Sequence, residues 1–346
     1  MFNRILKLGE LTVPHAIIQG GMAVRISTAS LAGAVASQGG IGVIAGTAMT
    51  SEELRNEIMQ AKRLAGGNGA IGINVLFAVK NFAELIKTAL KTGIDIVFSG
   101  AGFSRDVFSW GKQFNVPVVP LVSSGRLAKI AEKLGAAAVV AESGQAGGHL
   151  GTNRPIEEIL PEVKAATNLP VIAAGGIVDG YDIYRMEQLG ADGVQMGTRF
   201  AASRESNASE YFKQLYVNSR PTDTVLIKSP VGLPGRALRN AFVDKLLSGA
   251  SIEIEACDDC LKNCKRNFCI KKALENAQKG TGTNRLVFAG QKVYTIKKIL
   301  SVEEIFDKLK KEYSAIASQS EHPPKPGEIL SPDPFSATCN HFQKNS

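Results

Sequence analysis

Over its first two hundred residues the chain repeats one pattern: a short apolar run, a break of Gly, Ser or Asn, then a longer amphipathic stretch. The apolar runs are HAIIQGGM (15–22), IGVIAG (41–46), AIGINVLF (70–77), IDIVFSGAG (94–102), VPVVPLVSS (116–124), AAAVVAESG (136–144), PVIAAGGI (170–177) and DGVQMGTRF (192–200). They are short, rich in Val and Ile, and apolar on both faces, which is the pattern of parallel strands buried on both sides. Between them lie helix-like segments. TSEELRNEIMQAKRLAG offers Thr50 or Ser51 as an N-cap, and both it and NFAELIKTALKTG end at a Gly. Eight strand–helix units predict an α/β chain closed as a (β/α)8 TIM barrel over residues 1–200, in preference to an open doubly wound sheet.

After Phe200 the rhythm breaks. AASRESNASEYFKQLYVNSRPTD opens a stretch of polar helices and loops that predicts a smaller inserted second domain, a substrate cap, over 201–282. Apolar periodicity returns in NRLVFAGQKVYTIKKILSVEEIFDKLKKEY, read as a closing segment, 283–313, packed back on the barrel. Ser301 with Glu304 is a capping box for its last helix. Residues 314–346, rich in Pro and Ser without periodicity, predict a disordered tail.

Composition narrows the function classes. Aromatic content is 6% and Gly reaches 35 residues, which favours tight turns and close backbone approach over an aromatic-rich binding module. The net charge of +8 raises nucleic acid as a partner, but the basic residues are dispersed and lack aromatic interleaving, so no nucleic-acid binding is expected. No apolar run is long enough to span a membrane, and the N-terminal stretch has no secretory pattern, so a cytoplasmic protein is expected.

In a barrel of this kind the chemistry collects at the C-terminal ends of the strands. Strand 1 ends in QGGM, strand 3 carries Asn74 in an apolar run, strand 6 ends in ESGQAGGHLG, strand 7 in AAGGI and strand 8 in MGTRF. Gly175 and Gly176, with Gly197 and Thr198, would offer backbone N–H groups and a hydroxyl at the usual phosphate site of such barrels. The plainer alternative is that these glycines only close βα turns. His149, flanked by glycines beyond strand 6, is the candidate proton-handling group at neutral pH. Glu142 could hydrogen-bond a cofactor hydroxyl or be a satisfied loop carboxylate. His15, His322 and His341 receive no role. GNGAIG (67–72) precedes a strand where a dinucleotide fingerprint would follow one, and no Walker A sequence occurs.

Four of the five cysteines fall within CDDCLKNCKRNFC, at Cys257, Cys260, Cys264 and Cys269. Burial does not explain a cluster in so polar a segment, and in a reducing compartment it reads as a metal site in preference to a disulfide framework. The spacing C-x2-C-x3-C-x4-C suits Zn in a closed tetrahedral site and equally a four-iron, four-sulfur (4Fe–4S) cluster. Lys262, Lys265 and Arg266 would offset the charge of such a thiolate centre. Cys339 is expected to take no part.

The ordered motifs IIQGGM, GINV, SGAG, AESGQAGGHLG, PVIAAGGI and GVQMGTRF resemble the nitronate monooxygenase (2-nitropropane dioxygenase) superfamily, which includes enoyl-ACP reductase II. The resemblance runs from Phe2 to about Leu309. It implies an FMN-dependent barrel with an inserted domain, FMN lying against Gly21, Met22, Asn74, Glu142 and Gly148, its phosphate on Gly175, Gly176, Gly197 and Thr198, and His149 beside the flavin. GTRFAASRESNASEYFK resembles the acyl-thioester branch more than the nitronate branch. IKSPVGLPGRALRN followed by clustered cysteines resembles a branch of unsaturated fatty-acid synthesis that carries an iron–sulfur cluster, although the cysteine spacing here is tighter.

The leading expectation is therefore an oxidoreductase exchanging hydride between flavin and the Cα–Cβ bond of an acyl thioester, free or carried by acyl-carrier protein. NAD(P)H is a candidate electron donor and a homodimer a candidate assembly. A flavin partner favours the iron–sulfur cluster over zinc. The alternative is a nitronate monooxygenase that oxidises alkyl nitronates with O2. A metal-binding electron-transfer module would use the cysteines but leave the glycine-lined strand ends without a purpose.

Overall fold

The computed structural model describes residues 1–321, apart from Asn3, Ala101, Phe103 and Glu255. Each of the eight apolar runs contains one strand: β1 Ile17–Gln19, β2 Ile41–Ala45, β3 Ala70–Leu76, β4 Ile96–Gly100, β5 Val118–Val122, β6 Val139–Glu142, β7 Val171–Ala174 and β8 Gly193–Met196. They close into a barrel in the order β7-β8-β1-β2-β3-β4-β5-β6, so neighbours in space are neighbours in sequence except at the closing pair, β8 and β1. All the pairings are parallel. The fold is the expected (β/α)8 barrel. Strands such as β2 and β4 are buried at every position, because side chains fill the barrel on one face and helices cover the other.

Helices α1 Ala29–Ser37, α2 Ser51–Ala65, α3 Phe82–Lys91, α4 Arg105–Phe114, α5 Gly125–Lys133, α6 Ile156–Ala166 and α7 Gly180–Gln188 follow β1 to β7 in turn. Thr50 is the N-cap of α2, and its hydroxyl and the Glu53 carboxylate satisfy each other's backbone N–H groups. The eighth position of the ring is taken by α8, Val302–Glu321, which arrives only after the cap and whose Glu312 accepts the Gly180 N–H at 3.0 Å. The Ser301–Glu304 capping box forms, with bonds of 2.7 and 3.1 Å. Residues 314–321 are helical where a tail was expected. The rest of that expected tail, 322–346, including His322, Cys339 and His341, lies outside the described residues.

Between β8 and α8 the chain builds the cap. Its strands Thr224–Lys228 and Pro234–Leu238 form an antiparallel hairpin, followed by helices Ala241–Leu247 and Ile270–Lys279. A third strand of this sheet comes from the barrel itself: Gly148–His149, in the loop after β6, pairs with Gly235 and Arg236. A small second core of Phe212, Tyr216, Leu238, Val287, Val293 and Ile296 forms within this stretch. The segment 257–269 has no helix or strand of its own and is held by an isolated bridge from Leu261 to Val79.

Candidate active site

A cavity of about 600 Å³ lies at the C-terminal ends of the strands, between barrel and cap. Gly21, Met22, Asn74, Glu142, Gly148, His149, Gly175, Gly176, Gly197 and Thr198 all line it. Residues up to 177 positions apart in sequence are thus brought to one wall, because each belongs to the end of a strand or the turn after it. Parallel register sets their heights: Glu142 sits beside Ala174, the residue before Gly175, and Asn74 lies between Ala45 and Phe98.

The QGGM turn is shaped from behind. The buried Gln19 amide donates to Ser27 Oγ at 3.0 Å and Val43 O at 3.2 Å and accepts the Val43 N–H at 3.1 Å, while Ser27 Oγ accepts the Met22 N–H at 3.0 Å. Asn74 Nδ2 donates to Phe98 O at 3.2 Å. These bonds fix two polar positions at the base of the cavity without filling it.

At the end of β7, Gly175 and Gly176 have φ of +98° and +74°, a region that side-chain-bearing residues rarely adopt. A Cβ on Gly175 would collide with Ser143 Oγ, and one on Gly176 would stand 3.0 Å from Gln145 Oε1. The backbone therefore faces the cavity with no side chain in between. Beside it Thr198 Oγ1 accepts the Gly290 N–H at 2.9 Å, which fastens the loop before α8 to the end of β8. That loop also brings Lys292 to the cavity wall, where its ammonium pairs with Asp182, and Asp182 in turn accepts the Val178 N–H at 3.0 Å. Glycine backbone, a hydroxyl and a lysine make a cradle suited to an oxyanion.

Across the cavity Glu142 has no hydrogen-bond partner among the described residues, and burial pushes its carboxyl up to about 7. His149 Nε2 lies 2.8 Å from Ser229 Oγ in the cap, and its ring meets Phe288 edge-on at 5.3 Å. Burial pushes the imidazole down to about 4, so it is neutral at pH 7. Arg236, next to the residue paired with His149, donates to Gly144 O at 2.8 and 3.2 Å, which clamps the β6 loop to the cap.

The wall facing the cap is apolar: Leu76 and Val79 from the barrel meet Val231, Leu261, Ile270 and Leu274 from the cap. Lys80 and Lys271 stand at its edge, paired with Asp259 and Asp258. Sequence reading missed Lys292, Ser229 and this apolar wall. The run VFAG ending just before Gln291 and Lys292 is the one signal that pointed to a ligand-facing turn there.

The four cysteines line a second, small cavity of about 30 Å³, and Cys260 also belongs to the wall of the large one. Among the described residues, no group of three or more His, Cys, Asp or Glu side chains is arranged to hold a metal ion. Cys257 and Cys264 are exposed, and Cys260 and Cys269 are half-buried.

The nitronate monooxygenase family model matches residues 5–312, that is, the barrel, the cap and most of α8. The chain belongs to the nitronate monooxygenase family. It is 29% identical over 291 residues to a probable nitronate monooxygenase of Staphylococcus aureus (strain Newman), covering 71% of this chain and 81% of that protein. The structure of FabK from Thermotoga maritima superposes with a TM-score of 0.79 at 30% identity, over 89% of this chain and 96% of that one. A nitroalkane oxidase from Streptomyces ansochromogenes superposes with a TM-score of 0.75 at 23% identity, over 89% and 98% of the two chains, and shares the fold. As a member of the family the chain is an oxidoreductase. No described helix is long and apolar enough to cross a membrane.

Proposed function

We propose that this protein is an FMN-dependent oxidoreductase acting on the Cα–Cβ bond of an acyl thioester. The observation that carries the substrate class is the apolar wall of Leu76, Val79, Val231, Leu261, Ile270 and Leu274. A small alkyl nitronate has nothing to cover so much hydrocarbon surface, whereas an acyl chain does, and burying it contributes about 0.8 kcal/mol per methylene. Lys80 and Lys271 at the edge suit the phosphate-bearing carrier of a thioester, whether coenzyme A or acyl-carrier protein.

The residues present fit the cofactor. Gly175, Gly176, Gly197 and Thr198 would hold its phosphate, with Lys292 as the nearby cation, and Gly21, Met22, Asn74, Glu142 and Gly148 would line the rest of it. FMN when bound supplies hydride exchange with the substrate's Cβ. His149 is the group beside the substrate that answers the charge developing on the thioester oxygen, by donating a hydrogen bond there. The apolar wall orients the chain and keeps water from the reacting carbons.

An anaerobic titration tests this. NADH or NADPH should bleach the flavin, and an enoyl thioester such as crotonyl-CoA should restore it. Bleaching by an alkyl nitronate, with no response to thioesters, would instead assign the chain to the nitronate reaction that the Staphylococcus aureus relative is named for.

For the cysteines we propose a tetrathiolate metal centre at Cys257, Cys260, Cys264 and Cys269, a 4Fe–4S cluster in preference to zinc. What supports it is that all four border one small cavity. No step of the reaction is routed through it.

A further inference from the structure

Ser229 lies in the turn between the two cap strands and is 4% exposed. Its Oγ accepts the Val231 N–H at 3.3 Å and sits 2.8 Å from His149 Nε2, and it has no other partner among the described residues. A hydroxyl has one proton to give and two lone pairs with which to accept. Val231 uses one lone pair. Were Nε2 protonated, it would take the second, and the Ser229 proton would be left unpaired where water does not reach, the costly arrangement for a buried polar group. If the hydroxyl donates to Nε2, every group is satisfied, and the ring proton of the neutral imidazole must sit on Nδ1.

The two nitrogens also face different surroundings. His149 lines the large cavity and Ser229 does not. Nε2 is thus turned into the cap, and Nδ1, without a partner among the described residues, is the nitrogen left for a ligand. The ring cannot easily turn over, because Phe288 packs against it and its backbone is paired with Gly235.

We propose that Ser229 is a positioning residue that fixes His149 as the Nδ1–H tautomer, so that the ring presents a hydrogen-bond donor, not a lone pair, to the substrate. This rests on the reading of His149 as the group beside the substrate. A donor suits the oxygen of a thioester, where negative charge grows as hydride reaches Cβ; the bond stabilises that enolate while the proton stays on Nδ1, and Cα then takes its proton from solvent. The tautomer itself follows from the hydrogen bonding around Ser229 and holds whatever the substrate is.

Long-range ¹H–¹⁵N correlation spectra of ¹⁵N-histidine-labelled holoprotein, assigned with His149→Gln, read the tautomer directly. His149 should show a protonated Nδ1 and an unprotonated Nε2. Ser229→Ala should shift it toward the Nε2–H form, and Ser229→Thr should restore the parent pattern. With crotonyl-CoA, Ser229→Ala should lower kcat by about tenfold, the worth of one such bond, with KM and flavin content little changed. A protonated Nε2 in the parent, or an unchanged tautomer in Ser229→Ala, overturns the proposal. If the parent shows the Nδ1–H tautomer but does not turn over thioesters, the substrate reading fails and the positioning role stands.

Discussion

Leu261 pairs antiparallel with Val79 at the edge of the large cavity, flanked by bonds from Lys80 N–H to Cys260 O at 3.0 Å and from Lys262 N–H to Ala78 O at 2.8 Å. The cysteine segment is thereby stitched to the loop after β3 and becomes part of the apolar wall. Leu261→Ala removes side-chain volume from that wall while leaving the backbone bonds. The expected result is a KM raised by up to about tenfold for long-chain enoyl thioesters, from lost hydrocarbon contact, and unchanged for a four-carbon one. A chain-length series measures it, and a uniform change across the series would remove Leu261 from the chain-binding wall.

The glycine cradle gives a prediction about the cofactor. Gly176→Asp places a Cβ at φ +74°, 3.0 Å from Gln145 Oε1, and adds a carboxylate where the phosphate would sit. Gly176→Ala carries the strain alone, roughly 1 kcal/mol. The Ala variant should keep most of its flavin and the Asp variant almost none, as read from flavin absorbance of the folded proteins. Full flavin in the Asp variant would move the phosphate elsewhere.

Removal of the His149 side chain should cost about 10² to 10³-fold in turnover, the usual worth of one hydrogen-bond donor to a developing oxyanion. Flavin content should hold, because the ring reaches the cavity from the side of the cap. Because burial lowers this imidazole to about 4, kcat/KM should show no inflection at the ordinary histidine value of 6.5. Undiminished turnover in His149→Ala would reduce the residue to a part of the cap sheet.

Two half-buried groups should oppose each other in the pH dependence of stability. Glu142 is raised from 4.5 to about 7, so the unfolded chain gives up that proton first, and stability falls as pH climbs through this interval. His149 is lowered from 6.5 to about 4, so its contribution runs the other way: full above the unfolded value and lost as pH falls to 4. Each effect is on the order of 3 kcal/mol, and between about pH 4.5 and 6.5 they nearly cancel. Thermal melts of flavin-free protein should thus change little there. Glu142→Gln should uncover stability that rises with pH, and His149→Ala stability that falls with it. Parallel slopes in the two variants would contradict the burial of one group.

Metal analysis decides the cysteine proposal. Anaerobically purified protein should contain close to four irons per chain, following from a four-cysteine cluster, and Cys260→Ser should lose them. Stoichiometric zinc with negligible iron would make the segment a structural clasp, and the absence of both would leave four free thiols on the cavity's edge.

The barrel was legible because a strand buried on both faces is written as an unbroken apolar run, and each of the eight runs holds one strand. The glycines of the cradle were legible for a related reason: GG and GT at strand ends leave little else to build a turn from. The third cap strand was not, since Gly148–His149 is two residues long and carries no alternation. Ser229 and Lys292 reach the site only through folding, from 80 and more than 90 positions beyond His149 and Thr198 respectively. The helix through residues 314–321 was hidden by Ser and Gln, although Tyr313 just before them packs on Phe2 and Tyr184 and anchors that end of α8.

The strand shared between barrel and cap has a consequence for how the site can open. His149 belongs to the β6 loop and to the cap sheet at once, through its pairing with Gly235, and the Leu150 N–H donates to Pro234 O at 2.9 Å on the same ladder. A cap that swung away as a hinged door would tear this ladder and carry the imidazole out of the cavity. The Leu261–Val79 seam, closed by its bridge and two flanking bonds, the Lys80–Asp259 ion pair and the Lys262 ammonium on Phe77 O at 2.9 Å, does not include His149, so its parting would leave the imidazole in register with the strand ends. The cap is thus roofed onto its own working wall, and whatever moves the one moves the other.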